Sequence, residues 1–327
     1  MAERVSESIF SIFGWSKHPL HNKNWKCAQT DVHRTQPGTH PSDVVFSYDD
    51  PYDLGPVYVT TDLKSYAKGT ITKPKVAGAV RSLAMTTDCA NQSEDFQKLF
   101  VADDGRPSTI VGLLFIYNHD GEYSADFDAL LADIDERNFE LAPRRRTYIV
   151  GPHRIAYLYN VARDITHLRG TKQIPFGEEC HFYYPDMVRT TARTGKDASA
   201  ASLEWLLGPW QILRFARQTP ESGVRMESYV YYRDPGASTD EFKYLFDYLF
   251  RYQLVDPGNA IHVRFVPTAA SDPNAAARFT NAKTEYVSQT HPSARDDLAL
   301  RLADVKFSMV ETTYLQFSDT VLGMRDE

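Results

Sequence analysis

His40-Pro41-Ser42-Asp43-Val44-Val45-Phe46, a connection rich in Asp, Pro and Gly from Asp49 to Pro56, and Val57-Tyr-Val-Thr-Thr-Asp62-Leu63-Lys64-Ser65-Tyr66 are the stretches that decide the fold. Two β-rich runs around a turn-rich connection read as a hairpin. Side chains alternate along a strand, so Asp62 and Lys64 share a face with Tyr58 and Thr60, while Val57, Val59 and Leu63 point the other way. Asp43 opens the adjacent strand, which brings its carboxylate towards Asp62. Two converging carboxylates repel unless a cation sits between them, and hard oxygen ligands suit Mg²⁺ or Mn²⁺. Beside such an ion Lys64 would orient and deprotonate a water for attack on phosphorus.

Outward from the hairpin, Val5, Ile9, Ile12 and Phe13 repeat at helical spacing, with Gly14 as a stop. Trp25 to Thr30 reads as a strand, and Lys75 to Thr86 as a helix after the hairpin. Ile110 to Tyr117 is a continuous apolar run, as expected of a central strand covered on both faces. Ser124 precedes Phe127, Leu130, Leu131 and Ile134, a capped amphipathic helix. Thr147 to Val150 and Ile155 to Val161 continue the strand pattern around Gly151-Pro152. The first half is therefore expected to be α/β, a mixed sheet flanked by helices.

Between Thr171 and Ala201 the pattern fades, and Arg193 to Ser199 is the best mobile-loop candidate. Beyond it, Met226 to Tyr232 alternates as a strand. Ser238 to Glu241 has capping-box spacing ahead of Phe242, Leu245, Phe246 and Leu249. Ile261 to Val266 and Val305 to Phe317 read as further strands, and no internal repeat is visible. The expected organisation is a catalytic domain over 1–170, a linker or mobile loop over 171–200, and a second α+β unit over 201–327.

The helix, the hairpin with its Asp43 and Asp62-Leu63-Lys64, and the following helix, apolar strand, helix and strand resemble the PD-(D/E)XK nuclease superfamily, the restriction-endonuclease-like fold. The pattern departs slightly, since Ser42 stands between Pro41 and Asp43. The resemblance covers about residues 1–165. It implies a Mg²⁺- or Mn²⁺-dependent deoxyribonuclease with Asp43 and Asp62 as metal ligands and Lys64 positioning the water. It also implies a third carboxylate on the leading helix, for which Glu7 is the best match and Glu3 the runner-up. Nucleases of this group with an extra carboxy-terminal domain resemble effectors of bacterial restriction or anti-phage systems, which implies a second protein subunit or self-association.

Composition bounds these expectations. The chain has 327 residues, 42% hydrophobic and 24% charged, which excludes disorder over most of its length. The net charge of −7 rules out a protein that coats nucleic acid by overall charge, so contact with DNA must be local. One window supplies it: from Leu63 to Thr87 there is no acidic residue, and Lys68, Lys73, Lys75 and Arg81 follow the motif directly. Arg144, Arg145 and Arg146 form a second basic cluster. No stretch is long and apolar enough for a membrane helix and the amino terminus lacks a leader pattern, so a cytoplasmic protein is expected.

Three dispersed cysteines, Cys27, Cys89 and Cys180, with no C-x-x-C pair, read as reduced core thiols rather than a disulfide framework or a zinc site. No phosphate loop, nucleophile elbow or dinucleotide fingerprint occurs. Ser65 and Tyr66 read first as structural groups, with phosphate positioning as the alternative, and Gln29 and His33 as polar surface groups. The competing interpretation of the motif is an exposed Asp62/Lys64 ion pair on an ordinary hairpin, worth under about 1 kcal/mol. At the level of function it corresponds to a non-catalytic DNA- or protein-binding subunit on a nuclease-like scaffold.

Overall fold

Val5, Ile9 and Phe10 lie on one side of the first helix, α1 (Ala2–Phe10), and are fully buried there, while Glu7 points outward. In the computed structural model, which describes residues 1–33, 38–53, 55–134, 146–184, 199–219 and 223–313, this helix leads into β1 (Ser16–Lys26), α2 (Thr30–His33), β2 (Thr39–Asp49) and β3 (Pro56–Tyr66). Then follow α3 (Lys73–Ala90), α4 (Glu94–Phe100), β4 (Thr109–Asn118), α5 (Phe127–Ala132) and β5 (Thr147–Val150). The strands form one sheet in the order β1-β2-β3-β4-β5; the first three run antiparallel, and β3, β4 and β5 are parallel.

Each face of this sheet carries its own helices. Phe10 of α1 meets Phe46 edge-on at 5.3 Å and Phe115 at 5.8 Å on one face. On the other, Val76, Val80 and Leu83 of α3 pack with Leu114, Ile116 and Phe127. Apolar cover on both sides explains the unbroken hydrophobic run of β4, whose residues after Thr109 are all buried. Gly112 lets α3 approach closely: a Cβ there would sit 2.1 Å from Thr87 Oγ1.

The remainder of the chain alternates in the same way. After α6 (Pro152–Gly170) come β6 (Cys180–Phe182), α7 (Leu203–Leu207), β7 (Trp210–Thr219), β8 (Gly223–Tyr232), α8 (Thr239–Arg251) and β9 (Ala260–Phe265). The chain then forms α9 (Ala275–Gln289), α10 (Arg295–Ala303) and β10 (Val305–Met309). The Ser238 side chain caps α8, accepting the Glu241 N–H as the capping-box spacing predicts. Chain contacts divide the protein into two units: Met1–Tyr159 with Ala200–Leu203, and Asn160–Ser199 with Glu204–Thr313, residues 314–327 lying outside the described part.

The second sheet has the order β10-β9-β8-β7-β6, antiparallel across β6, β7 and β8 and parallel across β8, β9 and β10. Read in chain order, it repeats the topology of the first: a helix, three antiparallel strands, then two parallel strands reached through helices. Among the described residues no helix is long and apolar enough to cross a membrane.

Several expectations need correction. Ile155 to Val161 is helical rather than extended: Pro152 opens α6, and Ile155, Leu158, Val161, Ala162, Ile165 and Leu168 are buried at helical spacing. The first strand begins at Ser16, nine residues before the expected Trp25, because an edge strand in which Trp25 alone is buried shows no clean alternation. Asp126, not Ser124, caps α5 by accepting the Ala129 N–H. Within the expected linker over 171–200, Cys180–Phe182 is strand β6 paired with β7. Residues 185–198 of that segment, Arg144 and Arg145 lie outside the described residues.

Candidate active site

The β2–β3 hairpin is zipped only near its turn. Val45 to Asp49 pair with Thr60 to Pro56, and there the ladder between the two strands ends. Beyond it β2 follows β1, with Val44 opposite His21 and Ser42 opposite Lys23, while β3 follows β4 through Tyr66. The backbone groups freed by this splay are met by side chains. Thr61 Oγ1 donates to Val44 O at 2.7 Å and accepts the Val44 N–H at 3.3 Å. Asp43 Oδ2 reaches across to accept the Leu63 N–H at 2.7 Å. Buried backbone polar groups need such partners, so the sequence spends a Thr and an Asp where an ordinary hairpin would use its own carbonyls.

Asp62 and Lys64 sit on β3 just past the splay. In register they lie beside Leu114 and Ile116 of β4, whose side chains belong to the face covered by α3. Lys64 Nζ is 2.5 Å from Asp62 Oδ1, and the two side chains are 33% and 16% exposed, so this pair is sheltered rather than solvated. Burial raises the Asp62 carboxyl above the usual carboxylate range; Lys64 opposes that rise and the charge of Asp43 adds to it. Burial works against the Lys64 ammonium, but its hydrogen bond to Asp62 and the charges of Asp62, Tyr66 and Asp43 outweigh it and hold its pKa above the ordinary lysine value. Asp43, Asp62 and Lys64 thus share one electrostatic neighbourhood.

Glu7 is engaged elsewhere. Its carboxylate lies 2.8 Å from Lys17 Nζ, which also holds Glu3 at 2.9 Å. Moreover α1 packs through Phe10 on Phe115, the neighbour in register of Leu63, so the helix covers the sheet face opposite Asp62 and Lys64. The expected third carboxylate is therefore bound to Lys17 rather than to the Asp43/Asp62 cluster. Gln29 is a partly exposed polar group that hydrogen-bonds Gln92 at 2.6 Å, as expected, whereas His33 is buried and is not the surface group expected.

Of the other candidates, Ser65 is exposed and its hydroxyl contacts His119 Nδ1 at 3.2 Å, while Tyr66 packs on the α3 core. His119 went unnoticed in the sequence; it follows the apolar strand without any motif, and only the β3–β4 register brings it to the motif end of the sheet. Lys68, Lys73, Lys75 and Arg81 are all exposed, from the turn after β3 into α3. Lys73 has a long contact of 3.7 Å to exposed Asp133. Two residues apart on a helix, Lys73 and Lys75 face in nearly opposite directions, so the patch wraps the start of α3 rather than forming one stripe.

The splayed hairpin presents one carboxylate from each strand and a lysine two residues on, and it lies within the stretch that matches a known family. Residues 1–154 match the family model described as the GAPS4 protein PD-(D/E)XK nuclease domain. The amino-terminal unit belongs to the PD-(D/E)XK nuclease superfamily. No curated protein and no solved structure matches the chain. PD-(D/E)XK nucleases use divalent metals, and the donor set here fits one: two acidic side chains whose mutual repulsion is offset by Lys64. A PD-(D/E)XK domain is a scaffold for handling nucleic acid, and in this one the motif carboxylates, the lysine and the exposed basic residues all follow from the β2–β3–α3 segment.

Proposed function

We propose that the chain is a metal-dependent endonuclease that hydrolyses phosphodiester bonds in DNA, with Asp43 and Asp62 holding Mg²⁺ or Mn²⁺. The observation that carries this is the meeting of Asp43, Asp62 and Lys64 at the splay of a hairpin inside a PD-(D/E)XK domain. When bound, the ion supplies charge neutralisation at the phosphate and acidifies an attacking water. Lys64 holds the Asp62 carboxylate in place and presents an ammonium beside the reacting phosphate, where it orients the water. Lys68, Lys73, Lys75 and Arg81 grip the strand backbone on the approach to α3.

Domain roles follow the same reading: the first unit, to about residue 159 rather than 170, as the nuclease domain, and a second unit that binds a partner subunit or another copy of the chain. That unit repeats the sheet topology, yet β8 carries no acidic-x-Lys triplet. Its charged interior groups are paired: Arg264 and Tyr231 hold Asp164, and Arg217 and Arg225 hold Glu227. A cytoplasmic anti-phage effector, restrained by that second unit until infection, is the role this organisation supports.

Incubating purified protein with Mg²⁺ or Mn²⁺ and circular, linear or single-stranded DNA tests the proposal. Wild type cuts, and Asp43→Ala, Asp62→Ala and Lys64→Ala abolish cutting while the fold persists. Cutting that survives these substitutions refutes the site. Calorimetry separates the alternative, a non-catalytic binding module, since only a nuclease site has a Mn²⁺ titration that Asp43→Ala removes.

A further inference from the structure

Four side chains that play no part in the acidic site converge elsewhere in the amino-terminal unit. Cys27 lies just after β1, His33 ends α2, His40 is the second residue of β2, and Cys89 is in the last turn of α3. Cys27 Sγ is 3.5 Å from His33 Nδ1, 3.2 Å from His40 Nε2 and 3.7 Å from Cys89 Sγ, and the two imidazole nitrogens are 3.2 Å apart. All four atoms lie within 4.8 Å of one another. Zinc–sulfur bonds of about 2.3 Å and zinc–nitrogen bonds of about 2.0–2.1 Å set tetrahedral edges of about 3.8 Å between sulfurs, 3.6 Å between sulfur and nitrogen and 3.4 Å between nitrogens. The four contacts follow that order and differ from it by a few tenths of an ångström.

The surroundings favour the same assignment. His33 directs Nε2 at Asp88 Oδ2, 3.5 Å away, and His40 directs Nδ1 at Thr86 Oγ1, 3.3 Å away. With protons on those outer nitrogens, His33 Nδ1 and His40 Nε2 turn their lone pairs inwards towards each other and the two sulfurs, as ligands of one ion would. Outer carboxylate and hydroxyl partners that fix the tautomer are the usual second layer of a metal-bound histidine. Cys89 Sγ accepts the Ala28 N–H at 3.0 Å, which fixes the sulfur's position beside the other three groups. Cys89, His33 and His40 are buried and Cys27 is half-buried, so the cluster is closed to substrate.

We infer that Cys27, His33, His40 and Cys89 form a structural zinc site, separate from the Asp43/Asp62 cluster. Four protein ligands leave no open position, so the ion ties elements together rather than activating water. It joins the end of β1, the α2 turn and the start of β2 to the last turn of α3. His40 lies three residues before Asp43, and Ser42, between them, binds Trp25 Nε1 at 3.1 Å and Thr60 Oγ1 at 2.9 Å. The zinc clamp therefore anchors the strand that delivers Asp43. Binding releases the protons of the two thiols to solvent, as coordination by thiolate requires.

Elemental analysis of the purified full-length chain, after dialysis against Mg²⁺-containing buffer, should find about one zinc per chain. Cobalt(II) loaded in its place should give the visible absorption of tetrahedral thiolate coordination. Cys89→Ser and His40→Ala should each lose the metal, while Asp43→Ala should keep it. If Cys89→Ser does not fold, the cobalt spectrum of wild type decides alone. Wild type that holds no zinc and gives no such cobalt band overturns the assignment, as does metal lost from Asp43→Ala but kept by Cys89→Ser.

Discussion

Replacing Lys64 by Met keeps most of the side-chain stem and removes only the charge that faces Asp62. At an effective dielectric of about 20, unit charges about 4 Å apart attract by about 4 kcal/mol. Part of that is offset by desolvation, and because Lys64 is 33% exposed, solvent screens it further, leaving a net loss of about 1–3 kcal/mol. The loss depends on pH in a definite direction. Asp62 already has a pKa above the ordinary value through burial and the nearby Asp43, and without Lys64 it rises further. A carboxyl whose folded pKa exceeds its unfolded value contributes stability below the unfolded value, and that contribution fades as pH rises through the folded pKa. Lys64→Met is therefore nearly as stable as wild type at low pH, where Asp62 takes up a proton, and shows its full deficit only once pH has passed the raised Asp62 pKa.

Adding Asp62→Asn to Lys64→Met removes the orphaned charge and recovers most of the loss, so the pair is strongly non-additive. The stability measurement is urea unfolding followed by hydrogen exchange of β3 amides, which tracks the first unit apart from the second. Cutting falls at least about 100-fold in both variants, since proton positioning and charge at the phosphate are lost together. A deficit equal at low and high pH, or a double variant no more stable than Lys64→Met, refutes the coupling of Asp62 with Lys64.

Three further outcomes follow. Thr61→Val leaves the buried Val44 N–H and C=O without their side-chain partner and costs about 1–3 kcal/mol in unfolding, with a larger proportional loss of cutting because Asp43 shifts with β2. Glu7→Gln breaks the contact to Lys17 and leaves cutting at the wild-type rate; loss of activity there with the fold intact would restore the leading helix to the site. Charge removal at Lys68, Lys73, Lys75 or Arg81 weakens DNA binding regardless of sequence, and each lowers the slope of log affinity against log salt by about 0.9, measured by fluorescence anisotropy over a salt series.

The parts legible in the sequence share one property, that local chemistry settles them. The alternation through Asp62 and Lys64, the apolar run of β4 and the Ser238 cap each depend on neighbours within a few positions, and each stands where expected. What escaped depends on distant partners. Ser16–Lys26 is a polar edge strand recognisable only by its pairing with β2, and Glu7 is decided by Lys17 and by which sheet face α1 covers. The Cys27, His33, His40 and Cys89 cluster has finger-like ligands without finger-like spacing, because its fourth member arrives on α3 from the far side of the hairpin.

The repeated topology shows what makes the acidic site. Both units have a helix, an antiparallel trio and two parallel strands, so the fold alone does not create chemistry. The hairpins differ. In the second unit β7 and β8 stay in unbroken register from Thr219 opposite Gly223 to Trp210 opposite Tyr232. In the first unit pairing stops at Val45 and Thr60, and the seam beyond is held by Thr61 Oγ1 and the Asp43 carboxylate. A carboxylate that accepts a backbone N–H with one oxygen keeps its other oxygen for a second partner, and the opened seam is where Asp62 and Lys64 project. The broken ladder lets Asp43, Asp62 and Lys64 gather at one place, and on this reasoning closing it, by giving β2 and β3 ordinary cross-strand pairing past Thr60, would make the hairpin more stable and the proposed site inert.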